Sequence, residues 1–436
     1  MKKYDTYKNS GIQWIGQVPE HWAILPMKHC ANLFTGNSIS DKDKENYSDA
    51  SDAYPYIATK DINVQTLLAD YENGMYTKKE DASFKIASKG STLLCIEGGS
   101  AGRKKTYLTE DVSFVNKLCC FTAKDAMSGK YLYYYINSNE FVEMFNNHIT
   151  GLIGGVSLSQ LVNFKAPVPP LTEQEAIANF LDKKTGEIDQ AIALFEQEKT
   201  DLQAYRKAII SETVTKGLNP NAKLKDSGIQ WIGQIPEEWS VRRMKDKYIL
   251  QTGTTPKGYD SQDEGDELIN WFTPADITEH GNILNDSQRK ISRQVVDDNT
   301  ISLYPKGSLI FVGIGATAGK LGYSEVEGYS NQQITALIPK DNVQSKYHFY
   351  YLMSIKNVLR DTASYTTMPI INNAFLSKES IPLPPLSEQE AIVAYLDKKT
   401  SAIDTAIERI NAQIAELQAY RTALISEAVT GKIDVR

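Results

Sequence analysis

The sequence is poor in the side chains from which redox and metal chemistry is usually built. Its 436 residues include only four cysteines and five histidines. The cysteines show no C-x-x-C spacing and no histidine partners at zinc-ligand distances. Because reduced, unpaired thiols are typical of the cytoplasm, we expect a cytoplasmic protein. The cysteines are Cys30, Cys95, Cys119 and Cys120.

Long apolar runs and an excess of positive charge are also lacking. No stretch approaches the roughly 18–20 apolar residues that span a bilayer, and the opening residues MKKYDTYKNS have no apolar signal-peptide core. The chain carries 47 Lys and Arg against 54 Asp and Glu, a net charge of −7. By itself this balance argues against a nucleic-acid partner, because Lys and Arg contacts to phosphate supply most nonspecific affinity.

The sequence does contain an internal repeat that covers both halves of the chain. GIQWIGQVPEHW at residues 11–22 returns as GIQWIGQIPEEW at 228–239, an offset of 217. PPLTEQEAIANFLDKKTGEIDQAI at 169–192 returns at 384–407, an offset of 215. Between these blocks the halves agree only in islands such as KGSTLLCIEGGSAGRKK and KGSLIFVGIGATAGKLG. A tandem duplication has therefore kept one part of the unit and diverged in the other.

The part kept alike is predicted to be a long helix. Thr172 with Glu175, and Ser387 with Glu390, have the spacing of a capping box. Gly217 and Gly431 stand where C-terminal caps belong. A sustained seven-residue apolar period predicts a seam against another helix, and we expect the two helices, of about 44 residues each, to pair antiparallel. The seam residues are Leu181, Ile188, Phe195, Leu202 and Ile209, then Leu396, Ile403, Ile410, Leu417 and Leu424.

The diverged parts are predicted to be mixed domains of short strands and helices. Runs such as STLLCI and SLIFVGI lie between glycine-rich turns. The aromatic runs YLYYYINSNEFVEMF and YHFYYLMSIKNVLR have helical spacing, and their tyrosines are interpreted as core in preference to a binding site. The predicted fold class is α+β: two mixed α/β domains alternating with two long helices packed as an antiparallel coiled coil, related by a pseudo-twofold internal repeat.

Catalytic motifs are not found. FVGIGATAGKL at 311–321 fails as a phosphate-binding loop because Lys320 is followed by Leu321 and no glycine stands five residues before Gly319. Its F-x-G-x-G fragment resembles the cofactor loop of adenine methyltransferases, but the Asn/Asp-Pro-Pro-Tyr/Phe motif of that family is missing. The chain is therefore interpreted as a binding protein and not as an enzyme.

On these repeated motifs the chain resembles the specificity subunits of type I restriction–modification systems. The resemblance spans essentially the whole chain and rests on VPEHW and IPEEW, on PVPPLTEQEAIANFLD and PLPPLSEQEAIVAYLD, and on the KGSLIF…ATAGK block. It implies that each diverged domain is a target recognition domain that reads one half of a two-part DNA site. The implied segments are 1–22 (lead-in), 23–168 (first recognition domain), 169–218 (central helix), 219–239 (linker and repeated lead-in), 240–383 (second recognition domain) and 384–436 (C-terminal helix).

The resemblance also implies the partners. The helices set the spacing of the half-sites and dock two methyltransferase subunits, and restriction/translocase subunits complete the complex. S-adenosylmethionine, ATP and magnesium belong to those partners, which would also supply the positive charge that this chain lacks. The alternative is a stand-alone DNA-binding adaptor or regulator derived from a specificity subunit. The lead-in tryptophans are interpreted as scaffold in preference to DNA contacts: Trp14, Trp22, Trp231 and Trp239.

Candidate DNA-binding residues come from polar and basic clusters beside glycine-rich turns, where backbone can approach phosphate. An ordinary solvated turn remains the alternative reading for each. Amides in SNQQI suit adenine edges in the major groove, and polar loops precede each long helix. The candidates are Arg103, Lys104, Lys105, Gly154, Ser157, Lys257, Tyr259, Arg289, Lys290, Lys320, Asn331, Gln332, Gln333, Thr367 and Asn372.

Overall fold

The chain divides into two compact units, and each long helix contributes residues to both. In the computed structural model the described residues are 2–151, 154–256, 268–299, 301–362, 364–365 and 369–436. Unit 1 comprises Met1–Glu196 and Asn411–Arg436, and unit 2 comprises Gln197–Ile410. The order of elements along the two units is the same in outline, as the duplication predicts.

Unit 1 carries two four-stranded sheets and short helices, followed by the first long helix. Its strands are β1 (Tyr7–Asn9), β2 (Gln17–Pro19), β3 (Ala23–Pro26), β4 (Ala31–Thr35), β5 (Ala53–Ile57), β6 (Tyr76–Lys78), β7 (Ile86–Ala87), β8 (Thr92–Cys95), β9 (Lys105–Tyr107), β10 (Val112–Phe114), β11 (Leu118–Ala123) and β12 (Lys165–Val168). Its helices are α1 (Met27–Cys30), α2 (Gly129–Ile136), α3 (Asn139–Asn146), α4 (Leu158–Leu161) and the start of α5 (Leu171–Lys216). The sheets run β6-β5-β10-β7 and β4-β11-β8-β9, with two-stranded ladders β1-β2 and β12-β3.

Unit 2 repeats this plan with a five-stranded and a three-stranded sheet. Its strands are β13 (Leu224–Asp226), β14 (Gln234–Pro236), β15 (Ser240–Arg243), β16 (Tyr248–Thr252), β17 (Leu268–Phe272), β18 (Asn282–Leu284), β19 (Lys290–Ser292), β20 (Leu309–Val312), β21 (Leu321–Ser324), β22 (Tyr329–Ser330), β23 (Ile334–Pro339), β24 (Ser364–Tyr365), β25 (Pro369–Ile370) and β26 (Ser380–Leu383). Its helices are α6 (Met244–Lys247), α7 (Arg293–Asn299), α8 (Ser345–Ser354), α9 (Lys356–Thr362), α10 (Asn373–Leu376) and α11 (Leu386–Val429). The sheets run β16-β23-β20-β21-β18 and β19-β17-β22, with ladders β13-β14, β15-β26 and β24-β25.

The long helices pair antiparallel within each unit, as the seven-residue period predicts. In unit 1 Asp189 and Arg421 form an ion pair at 2.9 Å; in unit 2 Arg206 and Asp404 form one at 3.0 Å. The repeat offset of 215 relates the two aspartates and also the two arginines. Most of the predicted seam is buried, with Phe195, Leu202 and Leu417 half-buried. The fully buried seam residues are Leu181, Ile188, Ile209, Leu396, Ile403, Ile410 and Leu424.

The predicted helix ends are correct at the C-termini and wrong at the N-termini. Gly217 follows α5 with φ +75°, and Gly431 lies two residues beyond α11 with φ +71°, a left-handed conformation that glycine adopts without strain. The helices begin at Leu171 and Leu386, however, so Thr172 and Ser387 lie inside the first turn and cap nothing. The preceding prolines supply the first carbonyls: Pro170 O accepts from two amides, at 2.9 and 3.0 Å, and Pro385 O does the same.

Residues 173–174 of α5 and 388–389 of α11 instead form hydrogen bonds that hold the rest of each unit against its long helix. The Trp22 indole N–H donates to Glu173 at 3.1 Å, and that of Trp239 donates to Glu388 at 2.8 Å. Trp22 and Trp239 are fully buried, as expected for anchors, whereas Trp14 is half-buried and Trp231 is 38% exposed.

The neighbouring glutamines hold the loop before α2 or α8. The Gln174 amide donates to Pro169 O at 2.8 Å and accepts from the Ser128 amide at 2.7 Å. Gln389 donates to Pro384 O at 2.8 Å and accepts from the Gln344 amide at 3.0 Å. The repeated E-Q pair of PPLTEQE and PPLSEQE is therefore a set of hydrogen-bonding groups, buried except for the half-buried Glu388, and this role explains its retention in both halves.

The aromatic runs form the predicted core helices. In α2 the tyrosines Tyr131, Tyr134 and Tyr135 are buried, and α8 buries a matching aromatic set. Tyr134 donates its hydroxyl to Asp182 of α5 at 2.6 Å, and Tyr350 donates to Asp397 of α11 at 2.7 Å. Each of the two diverged segments, 23–168 and 240–383, which we call the recognition segments, is thus packed on the helix that follows it in sequence.

The two ends of each recognition segment lie side by side. Ala23 pairs with Val168 in the β3-β12 ladder, and Ser240 pairs with Leu383 in the β15-β26 ladder. Segments 23–168 and 240–383 therefore leave and rejoin the rest of their units at a single two-stranded ladder.

Glu173 accepts hydrogen bonds from more side chains than Glu388 does. Replacing each glutamate by alanine therefore gives two variants whose losses of stability can be compared. Glu173 is 4% exposed and accepts from Trp22, from His21 at 2.8 Å and from the Tyr4 hydroxyl, whereas Glu388 accepts from Trp239 alone among the described residues. Burial of the Tyr4 hydroxyl is the largest cause that raises its pKa, and its hydrogen bond to Glu173 is the second. Of the donors to Glu173, Trp22 and Tyr4 are buried and His21 is exposed. Because an unpaired buried donor costs about 1–3 kcal/mol, we expect Glu173→Ala to destabilise unit 1 by roughly 3 kcal/mol and Glu388→Ala to destabilise unit 2 by roughly 1 kcal/mol.

The measurement is native-state amide exchange by mass spectrometry, with the free energy of opening obtained separately for peptides of each unit. Trp22→Phe serves as the control that removes one donor and keeps the carboxylate. Equal losses from the two alanine variants would contradict this account of the anchors.

Candidate nucleic-acid interface

Four loops that are distant in sequence meet at one end of the large sheet in unit 2. The Gly313 amide donates to Gln333 O at 2.8 Å, and the Ile371 amide donates to Gly313 O at 2.8 Å. On the other side, the Thr254 amide donates to Ser330 O at 2.8 Å. We call this surface the crest of unit 2; it consists of 253–255, 313–316, 331–333 and 370–372.

Unit 1 builds the same crest from the same positions of the repeat. The Ile96 amide donates to Lys117 O at 3.0 Å, the Val156 amide donates to Ile96 O at 3.0 Å, and the Asn37 amide donates to Phe114 O at 2.9 Å. These bonds correspond one by one to those of unit 2. The crest of unit 1 consists of 36–37, 96–100, 115–117 and 154–156.

Glycine is required where the crest loops cross. A Cβ at Gly36 would lie 1.8 Å from Phe114 O, and one at Gly253 would lie 2.3 Å from Ser330 O. A Cβ at Gly313 would lie 2.8 Å from Ile371 O. At these three positions glycine permits close backbone approach within the protein.

The amide side chains predicted to read DNA lie together on the crest of unit 2. Asn331 donates to Gln333 at 3.2 Å and its side-chain oxygen accepts from the Gln333 amide at 3.1 Å. Gln332 is exposed and accepts from the Thr255 hydroxyl. Beside these amides, Ile314 and Ile370 are paired and are 39% and 37% exposed.

Several predicted lysines have partners inside the protein. Lys104 donates to Thr59 O at 2.8 Å, and Lys320, which follows the equivalent turn, donates to Ile277 O at 3.2 Å. Lys290 donates to Asn270 at 2.6 Å and pairs with Asp286. Each of these ammonium groups therefore already donates at least one hydrogen bond within the protein.

The prediction of Lys105 as a DNA contact requires correction. Its side chain is buried on β9, 6% exposed, and its ammonium donates to Ile136 O at 2.9 Å. Burial lowers the pKa of this group to about 7. Lys105 and its neighbour Thr106 are both buried in β9, so the Lys105 nitrogen does not reach the surface.

Two predicted polar residues act as helix caps, and a third shapes a loop. Ser157 caps α4 by accepting from the Gln160 amide, and Asn372 caps α10 by accepting from the Phe375 amide at 2.9 Å. The two caps are related by the repeat offset of 215. Gly154 has φ +71° and its carbonyl accepts from the Gly98 amide at 2.8 Å, which connects the loop before α4 to the crest of unit 1.

Of the five remaining predicted residues, two are exposed and three lie outside the described part of the chain. Arg103 and Arg289 are exposed, and neither forms an ion pair within the described residues. Lys257, Tyr259 and Thr367 lie outside the described residues.

Sequence reasoning missed three exposed residues on the crest of unit 1. Glu97, Asn116 and Lys117 are all exposed. An alignment that pairs β11 with β23, both six residues long, places Asn116 opposite Gln332 and Lys117 opposite Gln333. The signal was available in the offset of 216 between these strands, but the surrounding sequences agree too little to reveal it.

Two cavities lie away from the crests. One of about 460 Å³ in unit 1 is lined by Trp14 and His148; one of about 590 Å³ in unit 2 is lined by Arg206 and Lys356, whose charges are paired with Asp404 and Glu279. All four cysteines are free and buried, and within the described residues no group of three His, Cys, Asp or Glu side chains is placed to hold a metal ion. Among the described helices, none is long and apolar enough to cross a membrane.

Two diverged sheet modules, each presenting a crest and joined to a duplicated helical framework, define a two-site recognition protein. The sequence profile of the type I restriction modification DNA specificity domain matches residues 19–202 and again 236–416. The chain therefore belongs to the type I restriction–modification DNA specificity family, and its class is that of the specificity subunits.

Named relatives extend over the whole chain. A putative type I restriction enzyme specificity subunit, MjaX of Methanocaldococcus jannaschii, is 25% identical over 435 residues, which cover 97% of this chain and 96% of the relative. The EcoKI specificity subunit of Escherichia coli K12 is 23% identical over 439 residues, covering 96% and 90%.

Solved structures share the fold. A chain from a study of assembly and conformational transition of the type I R-M system superposes with a TM-score of 0.74 at 17% identity, covering 95% of this chain and 99% of that one. The HsdS subunit of Thermoanaerobacter tengcongensis gives 0.51 at 18% identity, covering 95% and 98%. Both confirm two mixed domains alternating with two long helices.

Because Lys105 is buried, we expect it to make the free energy of unfolding depend on pH, which a lysine on the surface would not do. The folded pKa of about 7 lies below the ordinary value near 10.4, so the unfolded chain binds more protons between these values and stability rises with pH there. We expect Lys105→Met to be more stable than the parent at pH 7, with the difference shrinking toward pH 10.

Urea unfolding of the full chain at pH 7, 8.5 and 10, followed through unit 1, measures this effect. Lys104→Met is the matched control, because Lys104 is only half-buried. A stability difference independent of pH would contradict the assignment of a buried ammonium at Lys105.

Proposed function

We propose that this chain is the non-catalytic DNA-reading subunit of a type I restriction–modification complex in the cytoplasm. The observation that carries the proposal is the pair of crests: the same loops and the same backbone bonds recur in both units, yet the exposed side chains differ. A duplicated framework with diverged outward side chains suits a duplex site that is read in two unlike halves.

The long helices are proposed to carry the rest of the complex. They are the segment that the duplication has kept most alike, and each is continuous over 44 residues or more. Two identical methyltransferase subunits require two similar docking surfaces, which a repeated helix supplies. In this proposal the helices also set the spacing between half-sites, and restriction/translocase subunits join the methyltransferases.

The chemistry is assigned to those partners. S-adenosylmethionine would be bound by the methyltransferase subunits, and ATP and magnesium by the restriction/translocase subunits. The net charge of −7 is compatible with this division, because a chain that reads bases while another clamps phosphate has no need of a basic surface of its own.

The experiment that tests the proposal is single-molecule methylation sequencing. The full chain is expressed with the methyltransferase subunit of its host in a strain that lacks other methylation. We expect methyladenine in one two-part motif with a fixed gap, and no such motif when either subunit is expressed alone. A stand-alone adaptor would instead bind DNA and bring down no methyltransferase in a pull-down.

The ladders that close each recognition segment generate a prediction of modularity. Because Ser240 and Leu383 are paired neighbours, replacing residues 240–383 by the matching segment of a relative leaves the framework intact. We expect the methylated motif to change in one half and to keep both its other half and its gap. The reciprocal replacement of 23–168 is the control and should change the other half alone; a change in both halves after either replacement would rule out two independent readers.

A further inference from the structure

The two crests match so closely that their few differences stand out. Asn116 and Gln332 occupy the same position and are both exposed amides. The neighbouring positions differ in chemistry: Glu97 stands where unit 2 has Ile314, and Lys117 stands where it has Gln333. The isolated bridges Glu97–Gly155 and Ile314–Ile370 confirm that the first pair is equivalent, and the bonds Ile96 N–Lys117 O and Gly313 N–Gln333 O confirm the second.

On the crest of unit 1 the differing residues are a carboxylate and an ammonium. Both Glu97 and Lys117 are exposed, and neither forms an ion pair among the residues that the structure describes. A carboxylate facing a duplex is repelled by phosphate, so it is tolerable only where it meets a base donor. In the major groove, cytosine presents the N4 donor and guanine presents the O6 and N7 acceptors, which Lys contacts.

On the crest of unit 2 the corresponding residues are an apolar residue, Ile314, and an amide, Gln333. Ile314 is 39% exposed and pairs with Ile370, which is 37% exposed. Gln333 lies beside them, its amide nitrogen 3.4 Å from the position that a Cβ on Gly315 would occupy. An amide matches the N6 donor and N7 acceptor of adenine, and an apolar surface matches the thymine methyl group.

We propose that these two positions set the base-pair class read by each crest: Glu97 and Lys117 select a G·C pair in the first half-site, and Ile314 and Gln333 select an A·T pair at the equivalent place in the second. This inference rests on the proposed function, since it names the residues that distinguish the half-sites. The shared amide at 116 and 332 contributes contacts of the same kind to both.

The test exchanges the two positions between the crests in the full chain, expressed with the host methyltransferase subunit. Glu97→Ile with Lys117→Gln should convert one G·C pair of the first half-site to A·T, shifting the preference by about tenfold to a hundredfold. Ile314→Glu with Gln333→Lys should convert one A·T pair of the second half-site to G·C. In each variant the untouched half-site is an internal control for folding and assembly.

A matched control is Lys89→Gln, which removes an exposed lysine at the opposite end of β8 from Glu97; it should leave the motif unchanged. If Lys117→Gln weakens methylation of all sequences alike and lowers the salt dependence of binding, Lys117 contacts phosphate and the proposal is wrong. An unchanged motif in both exchange variants would also overturn it. A parent complex with no two-part motif would instead refute the proposed function, so the two failures are distinguishable.

Discussion

The hydrogen bond from a buried tryptophan to a glutamate at the start of each long helix is the contact on which the rest of each unit depends. Trp22 with Glu173, and Trp239 with Glu388, join the lead-in segment to the first helical turn. The adjacent glutamine fixes the loop before α2 or α8. One helical turn therefore orients both the lead-in strand and the recognition segment. Because the tryptophans and glutamines are buried and their hydrogen bonds are specific in direction, little variation is tolerated there, which explains why VPEHW and PPLTEQE recur almost unaltered.

A tyrosine of α2 or α8 in each unit also contacts the far end of the other long helix. The Tyr131 hydroxyl lies within hydrogen-bond distance, 3.0 Å, of both Pro167 O, just before α5, and Val429 O, in the last residue of α11. In unit 2 Tyr347 donates to Val214 O near the end of α5 at 2.8 Å. Each recognition segment is thus held by the start of one helix and the end of the other. The consequence is a rigid base on which a loop surface can diverge without loss of the framework.

The crests show how divergence is confined. Their backbone bonds are common to both units, and so is the glycine at positions 36 and 253, where a Cβ would collide with a carbonyl. Their outward side chains have no such constraint, and at positions 97 and 314 or 117 and 333 they differ in charge and polarity. A reader whose backbone is fixed and whose side chains are free is suited to acquire a new target sequence through few substitutions.

The sequence by itself determined the duplication, the antiparallel helix pair, the core role of the tyrosines and the family, because these depend on long periodic patterns and on exact repetition. It misplaced the helix starts, since Thr172 has capping chemistry and only the fold shows that Pro170 already supplies the carbonyl. It also assigned Lys105 to the surface, because a run of Arg and Lys does not reveal which side chain the strand turns inward. The crests were decided by tertiary structure: four loops join through backbone hydrogen bonds, which constrain residue identity only at crossings such as Gly36 and Gly253. Glu97 and Lys117 therefore acquire meaning only when the strands bring them together.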